Sequence, residues 1–202
     1  MTEVRKQHKF VLISGNSGAG KSSIMKSLMS NEIISFTTRE MREGEEEGKD
    51  YNYITRDEFL SLRDNGHLLE WSEYRGNFYG VTLKEFQKLE ESPAFCIVDF
   101  TGMKHFEEIY GKENCLSIFL YNSYSDASLQ LKQRGESIDF IVKRLEGMDK
   151  EISNRCQYQY IIKNLHGHKR ETTMCLYNIL KAELGYDWSR KEAFKEAIDS
   201  FR

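Results

Sequence analysis

The sequence predicts an α/β fold in which a parallel sheet is covered by helices on both faces. Four short apolar runs, at residues 10–13, 94–100, 116–121 and 160–162, are each separated from the next by a stretch with helical character. Strands that alternate with helices are typical of βαβ units and of parallel sheets. The first run is apolar without interruption, as expected of a strand that is buried on both faces, and it ends in a glycine-rich turn.

The first helix is predicted to begin near Lys21, directly after that turn. Its apolar residues recur at helical spacing until Asn31 ends the pattern, and they are Ile24, Met25, Leu28 and Met29.

Two stretches do not fit the predicted core. Residues 33–92 combine strand-like pieces, two amphipathic helices and many polar groups, which predicts a lobe inserted between two core strands. Residues 123–156 are charged and helical, a composition typical of a mobile lid. The strand-like pieces of the lobe are residues 33–36, 51–54 and 68–72. The chain 1–202 is predicted to be one domain, and an amphipathic helix is predicted within its last residues, 186–202.

The composition excludes several classes of protein. Charged residues make up 30% and hydrophobic residues 39% of the chain, and no apolar run is long enough to span a bilayer. The net charge of −3 argues against a basic nucleic-acid coat, so we expect neither a membrane nor a nucleic acid as partner. The cysteines are far apart and form no CxxC pair, which favours reduced, buried thiols in a cytoplasmic protein; they are Cys96, Cys115, Cys156 and Cys175.

A phosphate-binding loop follows the first predicted strand. Residues 15–22 match GxxxxGK[ST] in full, with a buried strand before them and a helix after them. Glycines allow the backbone N–H groups to converge on phosphate oxygens, and the helix adds its positive N-terminal dipole. Lys21 is expected to bridge the outer phosphates, and the Ser22 hydroxyl to help hold Mg²⁺. The residues expected to bind a nucleoside triphosphate here are Gly15, Asn16, Ser17, Gly18, Ala19, Gly20, Lys21, Ser22 and Ser23.

The inserted lobe contains a set of residues suited to a second phosphate. Arg39 and Arg42 lie three residues apart among hydroxyl side chains, and guanidinium groups match phosphate oxygens bidentately. On spacing alone, arginines in a polar lobe can equally be solvated.

Several segments of the lobe together resemble the nucleoside-monophosphate-binding part of guanylate kinases. These segments are residues 35–45, SFTTREMREGE, residues 48–53, GKDYNY, residues 69–71, LEW, and residues 76–80, GNFYG. With the phosphate loop before them and Arg134-Gly135 and Lys143-Arg144-Leu145 after them, the resemblance covers roughly residues 8–184 in the family's order.

The resemblance implies a phosphate-loop NTPase core with an inserted monophosphate-binding lobe and a helical lid, and the activity MgATP + GMP ⇌ ADP + GDP. Glu70 matches the carboxylate that accepts hydrogen bonds from the guanine edge, and Asn164 the asparagine near adenine. Asp99 resembles a Walker-B carboxylate that would help Ser22 to hold Mg²⁺. The positions that match those holding the GMP phosphate are Ser35, Arg39, Arg42, Tyr51 and Tyr79. The catalytic residues implied are Lys21, Arg39 and the two lid arginines, Arg134 and Arg144.

Four positions depart from the family's pattern. Val81 stands where the family has Ser or Thr against guanine O6, and Thr101 stands where it has a second acidic residue. Leu165 replaces an aspartate, and Asn16 a proline of the phosphate loop. Two alternatives therefore stay open beside a GMP kinase, namely a kinase for another nucleotide or a sugar phosphate, and a non-catalytic protein-binding domain of guanylate-kinase-like fold. The complete phosphate loop and lid arginines favour an enzyme.

Overall fold

The computed structural model describes residues 10–87 and 93–185. The first sheet is formed by β1 (Phe10–Ser14), β6 (Ala94–Ile97), β7 (Cys115–Tyr121) and β8 (Tyr160–Lys163) in the order β6-β1-β7-β8. All its neighbouring strands are parallel, with Leu12 beside both Cys96 and Ser117. The predicted parallel sheet is therefore confirmed.

The second sheet lies between β1 and β6 in the sequence. It contains β2 (Phe36–Thr37), β3 (Asn52–Tyr53), β4 (Leu68–Tyr74) and β5 (Asn77–Thr82) in the order β3-β2-β5-β4. The β4–β5 and β2–β5 pairs are antiparallel, whereas β2 and β3 run parallel.

Eight α-helices connect or flank the strands in the described parts of the chain. They are α1 (Lys21–Leu28), α2 (Arg56–Asp64), α3 (Leu83–Gln87), α4 (Phe100–Tyr110), α5 (Tyr124–Gln133), α6 (Ile138–Glu146), α7 (Met148–Ser153) and α8 (Lys169–Leu184). Within these same ranges, no helix combines the length and the apolar character that a bilayer crossing requires.

The core is formed on both faces of the first sheet because successive side chains of a strand point in opposite directions. Val11 and Ile13 pack with α1 and α8, on residues such as Met25 and Leu176. The alternate residues of β1, Phe10 and Leu12, pack on the other face with side chains of α4 that include Met103 and Phe106. Helices on both faces explain why the strands are continuous apolar runs.

Three expectations about local structure require correction. The run at 94–100 is a strand only as far as Ile97, because Asp99 caps the N-terminus of α4 through a hydrogen bond of 2.8 Å from the Gly102 N–H. Ile33 does not begin a lobe strand; its N–H donates to the carbonyl of Phe95 at 2.8 Å, along the edge of the first sheet. Cys156 and Cys175 are exposed rather than buried, although all four cysteines are free thiols. The helix expected within 186–202 lies outside the described residues.

Candidate active site

A cavity of about 580 Å³ lies at the carboxyl ends of β1 and β6, between the first sheet and β4–β5. Its wall includes the phosphate loop, the N-terminus of α4, the second sheet and the α6–α7 corner. Carboxyl ends of parallel strands are the usual place for a ligand in an open α/β sheet.

The phosphate loop depends on glycines for two different reasons. Gly15, Gly18 and Gly20 have positive φ angles of 140°, 78° and 82°, which side chains rarely adopt. At Gly15 a Cβ atom would also come within 1.7 Å of the Leu120 carbonyl oxygen. The loop therefore passes directly over β7, and its backbone turns back towards the start of α1.

Lys21 is partly buried against its own loop. Its Nζ donates to the carbonyl oxygen of Gly15 at 2.6 Å and to that of Asn16 at 3.0 Å. Burial lowers the pKa of Lys21 to about 8, with the nearby arginines acting in the same direction and Glu151 opposing them. The ammonium group is thus held at the loop, where phosphate oxygens would converge.

Two buried asparagines outside the loop hold its backbone in place. The Nδ2 of Asn122, just after β7, donates to the Gly18 carbonyl at 2.9 Å. The Nδ2 of Asn164, after β8, donates to the Ala19 carbonyl at 3.0 Å, and its Oδ1 accepts from the Thr172 hydroxyl at 2.9 Å. Both polar atoms of the Asn164 side chain therefore have protein partners, and its predicted position near an adenine stays a prediction.

Of the two predicted Mg²⁺ ligands, Asp99 lines the cavity and Ser22 does not. Ser22 is exposed at the start of α1, whereas Asp99 lines the cavity and uses Oδ1 to cap α4. Hydroxyl and carboxylate oxygens suit Mg²⁺, which takes few protein ligands and completes its shell with phosphate oxygens and water. The described residues contain no group of three or more His, Cys, Asp or Glu side chains that could hold a metal alone. Ser23, beside Ser22, donates its hydroxyl to the Gly20 carbonyl at 3.1 Å.

One wall of the cavity is formed by residues of β4. Glu70, Ser72 and Tyr74 lie on one face of the strand, since side chains two apart point the same way, and Glu73 also reaches the cavity. Glu70 is only 6% exposed, and burial together with the charge of Asp99 raises its pKa to about 8. Gly102 leaves room for this carboxylate, since a Cβ atom there would lie 3.1 Å from Glu70 Oε2.

Arg39 and the tyrosines lie at the far end of the second sheet. The guanidinium carbon of Arg39 lies 5.3 Å from the centre of the Tyr51 ring, and Tyr51 meets Tyr79 edge-on at 5.9 Å. Glu45 holds this group together, with Oε1 at 2.9 Å from Arg39 Nη2 and 3.7 Å from Arg42 Nη1. All five positions predicted to bind this phosphate line the cavity, namely Ser35, Arg39, Arg42, Tyr51 and Tyr79.

The two lid arginines differ in position. Arg144 is half-buried on α6, lines the cavity and packs over the Phe140 ring at 4.8 Å. Burial, and then the charges of Arg42 and Arg75, lower its pKa. Arg134 is exposed at the end of α5, and it is not among the residues that line the cavity. Arg144 therefore belongs to the cavity wall, whereas Arg134 does not, although its charge lies near enough to Lys21 to help lower the pKa of that residue.

The departures from the family pattern also have definite positions. Val81 is fully buried in the core, and it lies opposite Glu70 on β5. Thr82 accepts a hydrogen bond from the Glu85 N–H at 3.2 Å and does not line the cavity, as strand alternation predicts. Thr101 does line it, from the first turn of α4.

Sequence reasoning missed part of the cavity wall. Ser72 and Tyr74 could have been found from their spacing to Glu70, whereas Arg75, Glu151 and Tyr158 reach the cavity only through tertiary packing.

The fold and the site define a phosphate-loop nucleotide-binding protein, whose cavity is lined both by the loop and by Arg39, Arg42 and Arg144. The family model for guanylate kinase matches residues 7–175. A guanylate kinase from Anaplasma phagocytophilum is 34% identical over 183 residues, covering 86% of each chain, and one from Malacoplasma penetrans is 34% identical over 174 residues, covering 81% of this chain and 89% of the other. The crystal structure of guanylate kinase from Anaplasma phagocytophilum superposes with a TM-score of 0.69 at 31% identity, covering 96% of this chain and 95% of that one. The chain belongs to the guanylate kinase family.

Proposed function

We propose that the protein transfers the γ-phosphoryl group of ATP to GMP, giving ADP and GDP. The observation that supports this most strongly is that one cavity is lined both by Lys21 of the phosphate loop and by the buried carboxylate of Glu70. An ionised carboxylate accepts two hydrogen bonds, and the guanine edge offers two neighbouring N–H donors. The family name of the relatives agrees with this substrate pair.

In this proposal, each end of the cavity holds one nucleotide. The loop 15–20, Lys21, Ser22 and Ser23 bind the triphosphate, and Asn164 keeps the loop in shape near the adenine. Residues 33–92 form the acceptor lobe, in which Arg39 and Arg42 exchange their bonds with Glu45 for bonds to the acceptor phosphate. Ser35, Tyr51 and Tyr79 complete that phosphate's surroundings.

The reaction needs positioning and charge neutralisation more than proton transfer, because the acceptor phosphate is already an anionic nucleophile. Lys21 and Arg144 neutralise charge on the transferred group from two sides. Residues 123–156 act as a lid, whose closure brings Arg134 inward and excludes water so that ATP is not hydrolysed. Mg²⁺, held by Ser22 and Asp99, supplies charge neutralisation on the phosphate oxygens when bound. The free thiols fit a reducing cytoplasm as the place of action.

A second candidate is a kinase of the same type with a different acceptor. It is favoured by the position of Thr101, whose short hydroxyl side chain lines the cavity where the family has an acidic residue. One lost hydrogen bond to a base can cost about 1–3 kcal/mol, which is enough to change the order of acceptors.

The test is an ADP-release assay with MgATP and a panel of GMP, dGMP, AMP, UMP, CMP and no acceptor. The proposal expects GMP to give a turnover far above every other acceptor and a negligible rate without acceptor. A different preferred acceptor would support the second candidate. No turnover, together with no shift in melting temperature on adding ATP or GMP, would instead indicate a non-catalytic binding domain.

A further inference from the structure

The tip of the β4–β5 hairpin places an arginine in an unusual backbone conformation. The strands are joined by the two-residue turn Arg75-Gly76, in which Arg75 has a φ of 53° and Gly76 a φ of 77°. Two-residue hairpin turns with both φ angles positive normally contain Asn, Asp or Gly at the first position. Arg75 is the one residue other than glycine with a positive φ in the described parts of the chain.

The side chain of Arg75 reaches from the second sheet to the predicted lid. Its Nη1 donates to the carbonyl oxygen of Lys143 at 3.0 Å, and its Nη2 to that of Arg144 at 3.2 Å. These carbonyls lie in the last turn of α6, where helix carbonyls lack partners within the helix and a cation is favourable. Nη2 also donates to Glu151 Oε1 of α7 at 3.1 Å, and the Tyr74 hydroxyl donates to the same oxygen.

Gly147, between α6 and α7, makes this contact possible. A Cβ atom there would come within 2.2 Å of Arg75 Nη2 and 3.0 Å of its Cζ. The backbone of Gly147 has φ −82° and ψ −6°, a conformation that alanine adopts without strain. An alanine here would therefore leave the backbone unstrained and would require the guanidinium group of Arg75 to move from its present position.

We propose that Arg75 is a positioning residue, which fixes the end of α6 to the acceptor lobe and thereby holds Arg144 in the cavity. This role of Arg75 rests on the proposed function, in which Arg144 neutralises the transferred phosphoryl group. Because Arg75 binds the carbonyl of Arg144 itself, it fixes the backbone from which that side chain extends. A displacement of about 1 Å in a catalytic group can lower a rate about 100-fold.

The first experiment compares Arg75→Ala and Gly147→Ala with the wild type and with Arg63→Ala. Arg63 is an arginine of the same lobe that packs on Trp71 at 5.4 Å, and it does not line the cavity. We expect both Arg75→Ala and Gly147→Ala to lower kcat by about 10- to 100-fold with the KM for GMP changed less than about twofold. Arg75→Lys should recover only part of kcat, because an ammonium group lacks the planar fork of Arg75. Arg63→Ala should leave kcat unchanged.

Double variants separate positioning from general destabilisation. Adding Gly147→Ala to Arg75→Ala should cost nothing further, since the added methyl group then has no guanidinium to displace. Arg75→Ala in an Arg144→Ala background should likewise have no additional effect on kcat. Independent, multiplicative losses in either pair would overturn the proposal.

Amide hydrogen exchange over residues 138–153 tests the attachment without reference to turnover. Arg75→Ala should speed exchange at the α6–α7 corner, and Arg63→Ala should not. Unchanged exchange would overturn the proposed attachment, whereas a wild-type protein inactive on GMP would overturn the proposed function alone.

Discussion

Asn16 and Asn122 exchange two hydrogen bonds across the base of the phosphate loop. The Nδ2 of Asn16 donates to Asn122 Oδ1, and the backbone N–H of Asn122 donates to Asn16 Oδ1 at 3.2 Å. Both residues are almost completely buried, at 0% and 1% exposure. The shape of the loop therefore depends on a buried amide pair, in which each partner satisfies polar groups that would otherwise lack hydrogen bonds.

Replacing Asn122 with Ala should weaken ATP binding more than acceptor binding. The change removes partners from Asn16 and from the Gly18 carbonyl, and each unsatisfied buried group costs about 1–3 kcal/mol. We expect a lower melting temperature and a KM for ATP raised about tenfold, measured by steady-state kinetics. Asn65→Ala, which removes an exposed amide at the end of α2, is the control. An unchanged KM for ATP in Asn122→Ala would show that the amide pair does not shape the loop.

Glu70 should make binding of a guanine acceptor depend on pH. Its pKa is raised to about 8, so the carboxyl is protonated at pH 7 and must lose its proton before it can accept two hydrogen bonds. We expect the affinity for GMP to rise between about pH 7 and pH 8.5, a range in which the nucleotide phosphate is already a dianion. Calorimetric titration of the wild type and Glu70→Gln measures this. The variant should bind GMP weakly and without the pH dependence, and an equal slope in both proteins would contradict the assignment.

The same carboxyl should affect stability in the opposite sense. The pKa of Glu70 is higher in the folded protein than its ordinary 4.5, so the folded state binds more protons between these values. The stabilisation is therefore complete below about pH 4.5 and is lost as the pH rises through about 8. Glu70→Gln carries no charge to bury, and its melting temperature relative to wild type should increase from pH 6 to about pH 9. A constant difference across this range would be inconsistent with a raised pKa.

Lys21→Ala and Arg39→Ala should each lower turnover by at least about 100-fold without unfolding the chain. The Lys21 ammonium donates to loop carbonyls and Arg39 lies at the cavity wall, so neither truncation opens the core. Circular dichroism should remain that of the wild type, and Lys84→Ala on the exposed surface of α3 should retain full turnover. A folded Lys21→Ala variant with near-normal turnover would refute the proposed mechanism.

Val81→Ser should destabilise the protein without improving recognition of guanine. Val81 is fully buried beside Leu12 and Met103, and it is not part of the cavity wall, so a hydroxyl there meets core atoms and no nucleotide. We expect a loss of about 1–3 kcal/mol in the free energy of unfolding, measured in urea, with the order of acceptors unchanged. Thr101→Ser, a small change at a residue that does line the cavity, is the matched control for stability. Tighter GMP binding in Val81→Ser would place residue 81 in the acceptor pocket after all.

The sequence predicts the first sheet well because its strands are buried on both faces. Continuous apolar runs such as Phe10–Ile13 are then a direct consequence of burial, and the phosphate loop that follows has its own spacing. The second sheet is less readable, since β2 and β3 have two residues each and β5 contains Gly80, a residue depleted in strands. Gly80 is present because a Cβ atom would lie 2.8 Å from the Glu70 carbonyl oxygen, which only the folded hairpin reveals.

The residues of the site also divide into those that the sequence predicts and those that only the folded structure reveals. Two groups of residues were predictable, and they lie in or beside the cavity. One group is close together in sequence, as in the loop, and the other, such as Glu70, was identified by the family resemblance. Arg75 could not be found in this way, because its partners lie 68–76 positions away and two of them are backbone carbonyls that any residue provides. The exposure of Arg134 could not be predicted either. The sequence predicts that Arg134 belongs to a lid, but it does not predict how that segment is oriented.

The two hydrogen bonds from Lys21 to the carbonyls of Gly15 and Asn16 have a consequence for nucleotide exchange. An ammonium group has three N–H donors, so a phosphate oxygen either takes the third donor or displaces one of these carbonyls, and in the second case the affinity for a nucleotide is the difference between two sets of contacts. When the product leaves, the Lys21 ammonium still has the carbonyl oxygens of Gly15 and Asn16 as hydrogen-bond acceptors. Release of the product therefore does not leave the ammonium without a partner. The loop carbonyls thus assist release of the product, which favours turnover over tight retention of ADP.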